Sequence, residues 1–159
     1  MNKKELIANF IKSLEDEAIV LKAAAQATHE AATNEESRPE NQYDTRALEA
    51  SYLAEAQSKR VHEIDELIVL FRTTKFKDFE SEDPVDISAL VDVKLDGQKK
   101  KILIMPKGGG VTCELNSQSI QIVTPTSIFG EALMGLTKGD EAEFEVGNKV
   151  KTFEVLAVN

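Results

Sequence analysis

Ile7, Ile11, Leu14, Ala18, Leu21, Ala25, Thr28 and Ala32 follow one another at spacings of 4, 3, 4, 3, 4, 3 and 4. Alternating threes and fours keep one stripe of a helix facing a partner helix, as in a coiled-coil seam. Lys3 to Thr33 contains no Gly or Pro and is rich in Ala, which favours the helix itself. The seam is bulky at Ile7 and small near Thr28, so a partner helix can approach more closely there. The polar run Asn34-Glu35-Glu36-Ser37-Arg38-Pro39 then reverses the chain. Pro39 is tolerated in a helix's first turn but not in its middle. A second helix is therefore expected to start near Ser37 to Glu40 and to end near Phe71 or Arg72. Its apolar positions include Ala50, Leu53, Ile64, Leu67, Ile68 and Phe71, with Gln57 and Arg60 interrupting the stripe. Each helix is about 30 residues, or roughly 45 Å. Joined by a short turn, the two make an antiparallel hairpin whose outer faces are solvated.

Beyond Asp83-Pro84 the pattern changes. Ile87–Leu95, Lys101–Met105, Gln121–Thr124, Glu141–Val146 and Lys151–Val158 alternate or are β-branched, which reads as strands. Val111–Leu115 reads as another, with Cys113 half-buried in it. Asp96-Gly97 and Gly147-Asn148 are turn signals. Thr126 to Gly135 reads as one short helix, capped by Thr or Ser after Pro125 and closed by Gly135. The fold class expected is α+β: an N-terminal antiparallel helical hairpin of coiled-coil type over residues 1–80, then a mainly antiparallel β domain with one short helix over residues 81–159.

The 159 residues carry 19 basic and 28 acidic side chains, a net charge of −9. Residues 1–80 and 81–159 are both acidic on balance, so neither half is a footprint for autonomous DNA binding. The single cysteine, Cys113, allows neither an internal disulfide nor a cysteine-based zinc site. Charge at Lys3, Lys4, Glu5 and Lys12 breaks any signal-peptide apolar region, and no apolar run reaches a membrane span. A cytoplasmic chain of bacterial type, with no membrane partner, is expected, and a monomer.

Few constellations carry chemistry. Gly108-Gly109-Gly110 lacks the Gly-Lys-Ser/Thr opening of a phosphate loop and is read as a hairpin turn. His29 and His62 have no ligand spacing and are read as surface residues. No base lies near enough in sequence to activate Cys113. Leu48, Tyr52 and Leu53 are expected to pack on Ala24, Ala25 and Ala31, although their segment could instead touch a partner, with Arg46 the best candidate for such a contact.

Two stretches carry a resemblance. Ser37-Arg38-Pro39-Glu40-Asn41-Gln42-Tyr43 resembles the hairpin tip of the bacterial Gre transcript-cleavage factors, where an Asp stands three residues before a Glu-Asn pair. Thr124-Pro125-Thr126-Ser127-Ile128-Phe129-Gly130-Glu131-Ala132-Leu133-Met134-Gly135, then Lys138-Gly139-Asp140-Glu141, is similar to that family's Ser-Pro, Gly, Ala-Leu-x-Gly and Gly-Asp-Glu signature. Phe153 to Val158 resembles its last strand. The resemblance runs over nearly the whole chain in the family's order, and it implies an FKBP-like second domain. It further implies a factor that docks on the rim of RNA polymerase's secondary channel and inserts its hairpin. The acidic tip would help hold a second Mg²⁺ in the polymerase active centre, touching nascent RNA only indirectly. The factor is then no enzyme on its own, and binds no cofactor alone; it stimulates the polymerase's own cleavage of backtracked transcripts. On this resemblance the tip residues are Glu40, Glu36 and Asp44, with Glu40 and Glu36 as metal ligands. The polymerase-facing residues are Pro125, Thr126, Ser127, Ile128 and Arg46, while Phe129 and Leu133 are assigned to the core.

The tip departs from the family at Ser37, which stands where the first acid is expected. Ser37-x-x-Glu40 is also a capping box for the second helix, a reading that needs no metal. A non-cleaving regulator of the same channel is therefore the alternative function. An FKBP-like chaperone or prolyl isomerase ranks third, because residues 81–159 hold only Phe129, Phe144 and Phe153 as aromatics.

Overall fold

The computed structural model describes residues 2–33 and 46–159, without the side chains of 31–33, 46 and 47. Nine elements follow in order: α1 (Lys3–Thr33), α2 (Arg46–Thr73), β1 (Leu90–Leu95), β2 (Gln98–Ile104), β3 (Thr112–Leu115), β4 (Gln118–Val123), α3 (Ile128–Leu133), β5 (Glu141–Val146) and β6 (Lys149–Val158). They divide into two compact units, Ile11–Arg72 and a second made of Met1–Phe10 with Thr73–Asn159.

In the first unit α1 and α2 run antiparallel. Glu15 pairs with Arg72, Glu17 with Arg60 and Lys22 with Asp65, so the early part of α1 meets the late part of α2. Leu14, Ala18, Ile64, Leu67, Ile68 and Phe71 are buried here. Further along the pair Ala25 and Thr28 are half-buried, and the buried residue of this part of α2 is Ala54. Thr28 donates its hydroxyl to the Ala24 carbonyl at 2.8 Å, which leaves its methyl free to pack. Two positions depart from the expected stripe. Leu53 is 53% exposed and its neighbour Ala54 is buried. Gln57, which interrupts the stripe, leaves its buried Oε1 with no hydrogen-bond partner among the described residues. At the start of α1 the buried residues are Leu6 and Phe10 rather than Ile7 and Ile11. Both belong to the sheet unit, so they answer to a different packing partner from the seam.

The second unit is a six-stranded sheet in the order β3-β4-β2-β1-β6-β5. Four pairings are antiparallel and one, β2 with β4, is parallel. This corrects the reading of Gly108–Gly110 as a hairpin turn. β4 lies between β2 and β3, so the glycines carry a crossover; Gly108 and Gly110 sit at φ 86° and 90°. β1 begins at Leu90 rather than Ile87 because the chain first turns at Ser88, buried and at φ 73°. Val91, Val93, Leu95, Ile102, Ile104, Val123, Phe153 and Val155 line the sheet face that shares a core with Leu133 of α3. Leu90, Leu103, Ile120 and Ile122 are buried on the opposite face, as the strand register requires. No helix among the described residues is long and apolar enough to cross a membrane.

Candidate docking segment

The segment between β4 and β5 holds four of the five residues expected to face a partner, and its backbone is fixed by local chemistry. After Val123 the chain turns at Thr124-Pro125. Ser127 is the N-cap of α3, with φ −77° and ψ 152°. Its Oγ accepts from the Gly130 N–H at 3.0 Å and donates to the Thr124 carbonyl at 2.8 Å. That carbonyl also accepts from the Ser127 N–H at 3.1 Å. A Ser cap does this because its short hydroxyl reaches an N–H that the first helical turn leaves unpaired. Gly130 lies close enough to Thr124 that a Cβ would sit 1.9 Å from its carbonyl oxygen, so only glycine lets α3 settle on this turn.

The far end is fixed as firmly. Gly135, at φ 80°, ends the helix and donates to the Val85 carbonyl at 2.9 Å, while Val85 donates to Leu136 at 2.8 Å. Thr137 then donates both its N–H and its hydroxyl to Asp140, at 2.7 and 3.0 Å. Gly139, at φ 91°, donates to Val155 at 2.8 Å and ties this turn to β6.

Side chains sort cleanly on this frame. Leu133 is fully buried, and Phe129 packs against Phe144 and Phe153 at centroid distances of 4.7 and 5.1 Å, so both belong to the core as anticipated. Thr126 and Ile128 point outward, Ile128 at 60% exposure, and Pro125 and Ser127 are half-buried. Ser127 spends its hydroxyl inside the turn, which makes it a positioning residue. The exposed apolar surface of this segment is a corner at Ile128, flanked by Pro125 and Thr126.

Glu36, Glu40 and Asp44, with Glu35, Ser37 and Tyr43, lie outside the described residues. Arg46 opens the described part of α2. Leu48, Tyr52 and Leu53 do not pack as anticipated; they stand 53%, 62% and 53% exposed on the first turns of α2. Among the described residues no group of three or more His, Cys, Asp or Glu is placed to hold a metal ion. His62 lies 3.4 Å from Glu66 on the exposed face of α2. Burial, and then the charge of Glu114, push the Cys113 thiol above its usual value, so it is held as a neutral thiol.

No protein-family model matches the sequence, and no curated protein matches it significantly. Solved structures are similar over much of the chain. GreA factor homolog 1 of Thermus thermophilus is 14% identical, with 94% of each chain covered and a TM-score of 0.39. The Gfh1 protein of Thermus aquaticus is 20% identical over 96% of this chain and 92% of its own, at 0.38. The prokaryotic transcription elongation factor GreA/GreB of Nitrosomonas europaea is 19% identical over 69% of this chain and 89% of its own, at 0.37. At these identities and scores the functional reading rests on this chain's own residues.

Proposed function

We propose that this chain is a Gre-type transcription factor that acts on bacterial RNA polymerase through its secondary channel. The observation that carries the reading is the content of the two units taken in chain order. A stiff antiparallel helix pair is interrupted at residues 34–45 by a segment holding four acids, and it is followed by a sheet unit with an outward apolar corner at Ile128. On this reading the Pro125–Ile128 corner docks on the channel rim and the helix pair delivers the acidic segment to the active centre. The unburied Leu48, Tyr52 and Leu53 supply apolar contact with the channel wall near the delivered segment.

The proposed activity is stimulation of transcript cleavage by Glu40, with Glu36 and Asp44 beside it. Magnesium would be supplied by the polymerase active centre, where it would serve as a Lewis acid toward the scissile phosphate and a bound water. Mg²⁺ accepts one or two carboxylates and keeps several waters, so Glu40 and Glu36 are the ligands this chain would contribute. A carboxylate at the end of a stiff helix pair needs no substrate pocket of its own. Charge deficit at Ser37 favours the second reading, a regulator that occupies the channel without promoting cleavage. An isomerase is disfavoured, since Phe129, Phe144 and Phe153 pack against one another, Phe129 and Phe144 each edge-to-face with Phe153, and the groove beside Phe153 is acidic.

The test is a backtracked bacterial elongation complex with end-labelled RNA, Mg²⁺, and either the wild-type chain or Glu40→Ala. Faster shortening of the RNA by the wild type alone supports a cleavage factor. Competition with an established channel-binding factor, without shortening, selects the non-cleaving regulator. Neither effect would remove the polymerase from the account.

A further inference from the structure

One row of four side chains crosses β5, β6, β1 and β2 in the order acid, acid, base, base. The register sets Glu141 opposite Glu154, Glu154 opposite Lys94, and Lys94 opposite Lys99. Directly opposed residues share a face of a sheet, so all four project from the same side. It is the side away from α3, because Leu95 and Phe153, each one residue along, belong to the core beneath the other face. Glu141, Lys94 and Lys99 are exposed and Glu154 is half-buried. Lys94, Glu141 and Glu154 border an open groove of about 450 Å³.

Within one chain this order of charges is unfavourable. Like charges directly opposed across strands destabilise a sheet, and here two such pairs, Glu141 with Glu154 and Lys94 with Lys99, lie side by side. Exchanging the charges at 154 and 94 would make every contact in the row attractive. Among the described residues none of the four side chains is in ion-pair range of a partner. The next row along β1 and β2 is satisfied internally, with Lys101 paired to Asp92.

A row of this kind is antisymmetric about its midpoint, which makes it complementary to itself. A two-fold axis lying in the face, parallel to the strands and between β6 and β1, lays the row on its own reverse. Glu154 then meets Lys94 of a second copy and Glu141 meets the second copy's Lys99, and the symmetry makes each contact twice. In the neighbouring rows the same axis sets Asp92 over Ala157 and Glu143 over Gly97, so like charges do not meet. A two-fold axis running across the strands would set acid on acid, so the charge order favours one orientation only.

We propose that this face is a self-recognition surface, on which two copies of the chain pair sheet to sheet in place of the monomer expected from the sequence. Four strands at about 4.8 Å and five residues at about 3.4 Å define a patch of roughly 300 Å² per copy. A stable interface buries about 800 Å² per partner, so the dimer is weak, and its charged contacts make it sensitive to salt. This inference is independent of any action on RNA polymerase.

Sedimentation equilibrium of the full chain at up to about 500 µM tests it. Self-association is expected at about 20 mM salt, weakened at least about tenfold at about 300 mM. Lys94→Glu/Lys99→Glu makes the row wholly acidic, and Glu141→Lys/Glu154→Lys makes it wholly basic. Each variant alone should be monomeric, and an equimolar mixture should form a heterodimer at least as tight as the wild-type pair. Rescue in the mixture also shows that neither variant has lost its fold. Lys138→Glu/Lys149→Glu, outside the row but equal in net charge to the acidic variant, should dimerise as the wild type does. Absence of self-association at low salt would overturn the proposal. So would dimers that survive either reversal alone, or a mixture that stays monomeric.

Discussion

Gly130 faces the Thr124 carbonyl so closely that a methyl group added to it would lie 1.9 Å from the oxygen and 2.9 Å from the Ser127 hydroxyl. The short helix α3, the serine cap and the β4 exit are therefore one construction, and Ile128 takes its outward position from it. Gly130→Ala must displace backbone, and we expect a loss of more than about 2 kcal/mol of stability in urea denaturation. A smaller loss would mean that α3 can lift from the turn without disturbing the core.

Cap and surface are separable by substitution. Ser127→Ala removes the acceptor of the Gly130 N–H and should cost about 1 kcal/mol. Ile128→Asp changes an exposed side chain and should move stability by less than about 0.5 kcal/mol. On the proposed function it should nevertheless weaken binding to RNA polymerase, measured by fluorescence anisotropy of the labelled chain.

Packing rather than charge should dominate the helix pair. Glu15–Arg72, Glu17–Arg60 and Lys22–Asp65 are all substantially exposed, so each pair should contribute about 1 kcal/mol or less, and less again in high salt. Phe71→Ala, at a position 2% exposed, should cost about 3–5 kcal/mol. Gln57→Leu should stabilise by about 1 kcal/mol, because it removes a buried amide oxygen that has no partner among the described residues. Thermal unfolding of Phe71→Ala, Gln57→Leu and an ion-pair variant, Glu15→Gln, in low and high salt checks the order.

Asp86 gives a pH signature. The hydrogen bond from the Lys77 ammonium, and then that from the Ile87 N–H, hold its carboxyl below the usual value, more than its slight burial raises it. A depressed folded value stabilises above the unfolded carboxylate pKa of about 3.9 and is lost as pH falls through the folded value. The effect is small, since both partners are exposed to solvent. The stability difference between wild type and Asp86→Asn should therefore shrink as the pH is lowered below about 4.

Local signals were the legible part of this sequence. Ser127 and Gly135 announce a cap and a helix stop, and the structure uses each in that way, while the close approach at Gly130 and the left-handed turn at Gly139 came only with the structure. For the same reason the second-half motif that resembles the Gre signature speaks to scaffold more than to activity: most of its polar and glycine residues are consumed in holding backbone. Non-local choices were harder to read. The parallel pairing of β2 with β4 depends on a crossover whose glycines look the same in a hairpin. Burial of Leu6 and Phe10 in place of Ile7 and Ile11 depends on which unit the first turns of α1 join, and helical period alone does not fix that. Leu53 is exposed and Ala54 buried because the seam runs one residue further along α2 than the apolar pattern suggested. The Asn116-Ser117 turn went unread for want of glycine.

Direct binding to bacterial RNA polymerase, in competition with an established secondary-channel factor, tests the central claim most immediately. We predict saturable binding of the full chain, displacement by the competitor, and weaker binding by Ile128→Asp with Glu40→Ala unaffected. Failure to bind, or binding that the competitor leaves untouched, would contradict the assignment to the channel.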